Sequence, residues 1–455
     1  MKYFSTRNNK LSESFKSVLF QGLSKDGGLF LPITIPKIDI KTIRDKSYEE
    51  VALNIIEPFI DNEISTNDLY EIIKNTYKNF KHPKIAPLVK IDKNKYILEL
   101  FYGPTFAFKD YALQLLGNIF SYFMNNHDRK VTIIGATSGD TGSAAIQAFK
   151  GKDNISIFIL HPHNKISEVQ RRQMTTNLEE NVYNIALEGN FDDCQKIVKN
   201  LFLDKEIQNK TSLTAINSIN WARLMAQIVY YFWAYLQLEE TKISFIVPSG
   251  NFGNIYSARI AQQMGLPIKN LHIVTNQNDV LHKIISAGNI TRKEVQETYS
   301  PSMDIQISSN FERQIFECLN YDSDELNKIM NTLSQDKDYT FNSNIVSNFQ
   351  NIYGSSAVSN QETLDTIREF NAKYNYLADP HTATGLAVLN KTNCDHSIVS
   401  LGCAHPSKFG NAIKKALGSE TPLPEDIKKI FAKKENIHIL KNNSQDIKDF
   451  ILKNI

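Results

Sequence analysis

The sequence predicts an α/β protein built of two parallel-sheet α/β units with an N-terminal cap region. Three observations carry this. From about residue 95 onward, β-branched runs alternate with helical stretches, as in "KVTIIG" followed by "TGSAAIQAFKG", and alternation of this kind implies parallel strands joined by crossover helices. Two such runs end in glycine-bearing turns that open a helix, "GATSGDTGSAA" and "PSGNFGNIYSA". The 455 residues also exceed the roughly 250–300 at which single cores stop growing.

Taken in chain order, residues 1–94 read as the cap, with a turn-rich "SKDGGLFLP" and a helical "SYEEVALNIIEPFI". Residues 95–213 read as a smaller α/β unit: after "KVTIIG", "ISIFILHP" precedes "ISEVQRRQMTT" and "VYNIAL" precedes "FDDCQKIVKNLFL". Residues 214–455 read as a larger unit. It is led by the long helical "SINWARLMAQIVYYFWAYLQL", continues with "ISFIVPSG", "LHIVTN" and their helices, and ends with "HSIVSLG" feeding "PSKFGNAIKKAL". Between them, Tyr321 to Asn360 is polar and helix-poor in places ("SQDKDYTFNSN") and reads as a solvated insertion.

Composition narrows the function classes. Apolar residues make up 42% and charged residues 22%, with a formal net charge of +2, the profile of a soluble globular protein. No nucleic acid or acidic membrane surface is indicated as partner. No window is apolar over the length of a bilayer span, and the start has no signal-peptide pattern. The cysteines, Cys194, Cys318, Cys394 and Cys403, form no C-x-x-C pair. That speaks against a metal site or a disulfide framework and for a reducing, cytoplasmic setting.

Lys109 is the one cation in "GPTFAFKDYALQLLGN". The stripe Leu113, Leu116, Phe120 and Phe123 places it at or just before the first turn of a buried helix. Apolar neighbours and the positive end of the helix dipole both disfavour an ammonium, so its pKa falls and it becomes a good imine former. The other reading is a lysine that packs its stem and reaches water with its head. The loop with Thr137, Ser138, Gly139, Asp140 and Thr141 stands where a helix N-terminus favours an anion. So does the loop with Gly250, Asn251, Phe252 and Asn254, whose glycines let successive N–H groups converge on a phosphate. Each could equally be a turn that needs glycine for its geometry. The pattern G-x-x-x-x-G-K-[ST] occurs nowhere, and a dinucleotide-binding dehydrogenase would leave Lys109 idle and lack its acidic residue, where "HPHN" stands. Two anion cups and one buried amine together are what a pyridoxal-phosphate enzyme acting on an amino acid needs.

The motifs "FSTRN", "QGLSKDGGLFLP", "GPTFAFKDYALQLLGN", "ATSGDTGSAA", "INSINWARLMAQ", "VPSGNFGN", "ADPHTATG" and "GCAHPSKF" run along nearly the whole chain. Together they resemble the tryptophan-synthase β-like (fold type II) pyridoxal-phosphate family, in its branch with an extended N-terminal region. The resemblance implies that fold, pyridoxal 5'-phosphate as cofactor, and conversion of O-phospho-L-homoserine and water to L-threonine and phosphate. The protein would act as a monomer or homodimer. It makes Lys109 the Schiff-base lysine and puts Gly250, Asn251, Phe252 and Asn254 in the cofactor-phosphate loop. Thr137, Ser138, Gly139, Asp140 and Thr141 become the loop around the substrate carboxylate, with Asp140 also near the cofactor. Asn217, Ser218, Asn220 and Arg223 would help hold the substrate phosphate, the alternative for this segment being an exposed amphipathic helix. One position departs from the family pattern: Cys403 stands where a threonine commonly meets the pyridine nitrogen. A thiol is a weaker partner that still donates or accepts, and the alternative is a small buried residue.

Overall fold

The computed structural model describes residues 1–124, 130–291, 293–335 and 337–455. At the N-terminus three short strands, β1 (Tyr3–Ser5), β2 (Asn8–Glu13) and β3 (Phe30–Pro32), form an antiparallel sheet. A hairpin follows, β4 (Leu88–Asp92) and β5 (Lys95–Glu99). The next strands are β6 (Val131–Ala136), β7 (Ile155–Pro162), β8 (Val182–Glu188) and β9 (Ser212–Thr214), then β10 (Ile243–Pro248) and β11 (Ile268–Thr275). A two-residue ladder joins β12 (Asn289–Ile290) to β13 (Tyr339–Thr340), and β14 (Tyr353–Ala357), β15 (Ser397–Gly402) and β16 (His438–Lys441) complete the set.

Two main sheets result. The larger has the order β14-β11-β10-β15-β5-β4, parallel except at the β4 edge; the smaller, β16-β8-β7-β6-β9, is parallel throughout. Parallel strands lie between helical layers and so read as continuous apolar runs. The run "ISFIVP" of β10 is buried at every position.

Sheet membership cuts across the sequence ranges 1–94, 95–213 and 214–455. β4 and β5 join the larger sheet through β15, and β16, near the C-terminus, extends the smaller one. Strand pairing joins segments distant in sequence, which a reading along the chain does not register. The stretch Tyr321 to Asn360 is not a solvated insertion. It supplies helices Ser323–Ser334 and Ser343–Ile352, and β14 closes an edge of the larger sheet with Phe349 and Tyr353 in the core. The segment "YGSSA" escapes a hydrophobicity reading because an edge strand with small residues needs no apolar run.

Helix Lys109–Met124 packs on helices Asp140–Phe149 and Trp221–Leu236, and its predicted stripe of Leu113, Leu116, Phe120 and Phe123 is buried. The helix Trp221–Leu236 is not an exposed amphipathic one: fourteen of its sixteen residues are buried. No helix among the described residues is long and apolar enough to cross a membrane.

Candidate active site

The carboxyl ends of β6 and β10 open on one cleft, the place where α/β sheets bind ligands. Its volume of about 2590 Å³ exceeds the roughly 300–1,000 Å³ of a site for one small molecule. There is room for a cofactor and a second ligand together.

Lys109 begins its helix and reaches this cleft with only 11% of its side chain exposed. Its Nζ donates to Ser302 Oγ at 3.0 Å and lies 3.7 Å from Asp140 Oδ2. Burial pulls the amine below the ordinary lysine range, with Asp140 opposing the effect and Arg223 and Lys408 adding to it. Of the two readings of this lysine, the structure has the dry amine and not the snorkelling one.

Asp140 opens helix Asp140–Phe149 and is buried. Its Oδ1 is 2.9 Å from Lys408 Nζ and accepts from Gln170 Nε2 at 2.8 Å. Burial alone would raise this carboxyl, but Lys408 and then Lys109 outweigh it and hold it well below the usual carboxylate range. Thr137 Oγ1 accepts the N–H groups of Gly139 and Gly142 at 3.0 and 2.8 Å, so its hydroxyl braces the loop. Gly139 has φ 135°, and a Cβ there would lie 2.5 Å from the Gln170 side chain. Only glycine fits. Ser138 and Thr141 lie on the cleft wall; Gly139 does not.

The second loop has no charged side chain. Asn254 braces it from within: its Oδ1 accepts from Ser249 Oγ at 2.6 Å and from the Ile255 N–H at 2.9 Å, and its Nδ2 donates to the Pro248 carbonyl at 2.8 Å. The Gly250 carbonyl accepts from Ser308 Oγ at 2.7 Å, and the Asn251 carbonyl from the Asn310 N–H and Nδ2 at 3.2 and 3.0 Å. A trans peptide points its N–H opposite to its carbonyl, so the N–H groups of Asn251 and Phe252 turn away from that segment. Phe252 is left-handed (φ 62°) and buried, its ring packed on Phe311 and Tyr353. A left-handed residue beside a helix N-terminus makes neighbouring N–H groups converge on an anion. A Cβ on Gly250 would come within 3.0 Å of Ile305 Cδ1 and 3.1 Å of Met303 Cα.

The segment before helix Trp221–Leu236 divides. Arg223, 4% exposed, is on the cleft wall; its Nη1 donates to the Ile216 carbonyl at 3.2 Å and its buried Nε has no partner among the described residues. Burial pushes this guanidinium down to about 10, so it remains a cation at neutral pH. Asn217 and Ser218 line the same wall. Asn220 does not: fully buried, it caps the helix through the Ala222 N–H at 3.0 Å and donates to the Leu19 carbonyl at 2.9 Å. Both its ends are committed to joining the helix to the cap. An asparagine directly before a helical run is the ordinary N-cap signal, and it was available in "INSINW".

Cys403 lies at the end of β15, 5% exposed on the cleft wall, its backbone N–H donating to Thr382 Oγ1 at 2.8 Å. Burial, then the nearby Asp379 carboxylate, push its thiol well above the ordinary range. It stays protonated. Further residues with no local mark in the sequence hold this end of the site. Asp379 accepts from His381 Nδ1 at 2.8 Å, from Thr382 Oγ1, and from the Ala404 N–H at 3.2 Å. The Ser302 N–H donates to His381 Nε2 at 3.2 Å, which leaves the ring proton on Nδ1. Ser302 Oγ in turn donates to Asp140 Oδ2 at 3.4 Å.

Comparison with known proteins gives one consistent answer. The family described as Threonine synthase N terminus matches residues 2–77, that of Pyridoxal-phosphate dependent enzyme residues 80–336, and that of Threonine synthase, C-terminal residues 382–451. The threonine synthase of Pseudomonas aeruginosa is 42% identical, the alignment covering 99% of this chain and 98% of that relative; that of Saccharomyces cerevisiae is 41% identical over 96% and 95%. Among solved structures, PLP-bound threonine synthase from Brucella melitensis superposes with a TM-score of 0.96 at 43% identity, covering 100% of this chain and 99% of the other.

Proposed function

The chain belongs to the threonine synthases, within the pyridoxal-phosphate-dependent enzymes, and on that premise we propose that Lys109 is the reactive amine of a site that converts O-phospho-L-homoserine and water to L-threonine and phosphate. The reaction is a γ-elimination of phosphate followed by addition of water at the β-carbon, the last step of threonine biosynthesis.

The residues present fit pyridoxal 5'-phosphate. An uncharged cup at a helix N-terminus, shaped by Gly250 against Met303 and Ile305, suits its phosphate. An amine held below its usual pKa suits attachment of the aldehyde, and a thiol kept protonated by burial offers a neutral contact to the ring nitrogen. Bound there, the cofactor supplies an electron sink next to the substrate nitrogen. Lys109 Nζ takes the α-proton and returns protons to neighbouring carbons. Ser302 Oγ accepts one Nζ–H while donating its own proton toward Asp140, which leaves the nitrogen lone pair free for the substrate. The helix N-terminus at Asp140, beside Ser138 and Thr141, suits the substrate carboxylate. Arg223, beside Asn217 and Ser218, suits its phosphate.

One observation carries the reading: a buried amine held below its usual pKa and a buried guanidinium whose Nε has no partner among the described residues line one cleft. The substrate of a serine or threonine dehydratase carries no phosphate, and beyond the cofactor such an enzyme has no anion for this cation to hold. Incubating purified protein with pyridoxal 5'-phosphate and O-phospho-L-homoserine should yield phosphate and threonine in equal amounts. Phosphate without threonine, or deamination of serine or threonine as the only activity, overturns the proposal.

A further inference from the structure

Asp140 is flanked by two buried amines. On one side Lys109 Nζ is 3.7 Å from Oδ2; on the other Lys408 Nζ is 2.9 Å from Oδ1. Lys408 sits in the short turn Pro406–Phe409 with 0% exposure, and its Nζ also donates to the Thr105 carbonyl at 2.7 Å. A lysine is rarely sealed in this way unless its charge is matched. We propose that Lys408 is a positioning residue that cancels the charge of Asp140, so that Lys109 keeps an ordered carboxylate beside it without being locked as an ammonium.

Every titratable or charged group facing Lys109 enters this balance. Asp140 comes from helix Asp140–Phe149, Arg223 from helix Trp221–Leu236, Lys408 from the turn after β15, and Cys403 from the end of β15, where burial keeps it a neutral thiol. Asp110, on Lys109's own helix, accepts from the Thr105 N–H and Oγ1 at 2.7 and 2.8 Å. His381 contacts the group through Ser302, whose N–H occupies its Nε2, and lies close enough to Asp140 to bear on its carboxylate. Asp140 is thus the acid nearest to Lys109, and Lys408 is the cation in contact with it. Two opposite unit charges about 4 Å apart bias a protonation equilibrium on the order of a thousandfold at an effective dielectric constant near 20. Uncovering Asp140 therefore has a large effect on the amine beside it.

The inference rests on Lys109 being the reactive amine, but its test reads that amine directly. In the full-length chain without cofactor, the pH dependence of Lys109 acylation by an amine-selective reagent, quantified on its peptide by mass spectrometry, gives the midpoint of deprotonation. Lys408→Met should move it up by about one pH unit or more, and Lys408→Arg should leave it nearly in place. Asp140→Asn, which leaves Lys408 uncompensated, should move it down. The double variant Lys408→Met/Asp140→Asn leaves neither charge buried alone and should return it to within about half a unit of the unmutated protein. In the holoenzyme, the pH midpoint of the near-visible absorbance should follow the same order. An unmoved midpoint in folded Lys408→Met overturns the proposal. If that variant does not fold, a double variant whose midpoint equals that of Asp140→Asn overturns it instead. Failure of borohydride to attach cofactor to Lys109 would overturn the functional reading alone, since the acylation midpoints are read without cofactor.

Discussion

The loop at 137–141 and the loop at 249–254 each join a buried parallel strand to a helix N-terminus, and each uses glycine where a side chain would collide. Their electrostatics are opposite. The first carries a buried carboxylate with Lys408 at 2.9 Å and Lys109 at 3.7 Å; the second is braced by amide and hydroxyl groups and turns backbone N–H groups outward. A phosphate with two negative charges is well held by fixed dipoles, which need no counter-ion and do not titrate. An amine that must gain and lose protons needs charges that can be balanced against one another. On the proposed function, the neutral loop serves cofactor binding, while the charged loop both receives the substrate carboxylate and sets the charge beside Lys109.

The largest effect tests the amine served by both loops. Lys109→Ala should lower kcat by about 10⁴ or more, above the usual acid–base contribution, and remove the near-visible absorbance of bound cofactor. Asp140→Asn should lower kcat about a hundredfold while leaving cofactor affinity nearly unchanged, measured by absorbance titration. The rising limb of its kcat/KM profile should move to lower pH, because an ammonium at Lys109 loses its carboxylate. A large loss of cofactor binding in this variant would break the separation between the loops.

Outside both loops, Arg223→Gln should raise KM for O-phospho-L-homoserine about 10- to 100-fold, the worth of one charge-assisted hydrogen bond, with kcat less affected. For the neutral loop, Gly250→Ala should weaken cofactor binding about tenfold through the tight approach of its Cβ to Met303 and Ile305, with kcat at saturating cofactor largely retained. The smallest change is expected from Cys403→Thr, within about tenfold in kcat, since a hydroxyl supplies the same neutral contact. Burial holds the thiol well above its ordinary range, so neither form should add a titration below about pH 9.

The parts legible in the sequence were those marked by a local contrast. Lys109 stands out as a cation among apolar residues, and both loops announce themselves as glycine after an apolar strand. Ser302, Asp379, His381 and Lys408 carry no such mark. "YSPSMD" has neither glycine nor a lone charge in an apolar run, and its second serine, Ser302, meets Lys109 only because the larger sheet brings together segments 193 residues apart. Lys408 looks like a surface lysine until the turn after β15 carries it under Thr105. Asn220 shows the converse: it lies inside a family motif, yet its side chain spends both ends on helix capping and the cap region.

The claim that joins these parts is that one amine, Lys109, stands between a binding loop and a charged loop and does the chemistry. Borohydride reduction of the holoenzyme followed by peptide mapping tests it most directly. The account predicts the cofactor fixed to Lys109 with loss of activity in proportion. Attachment to Lys408 or to any other lysine, with Lys109 unlabelled, would contradict it.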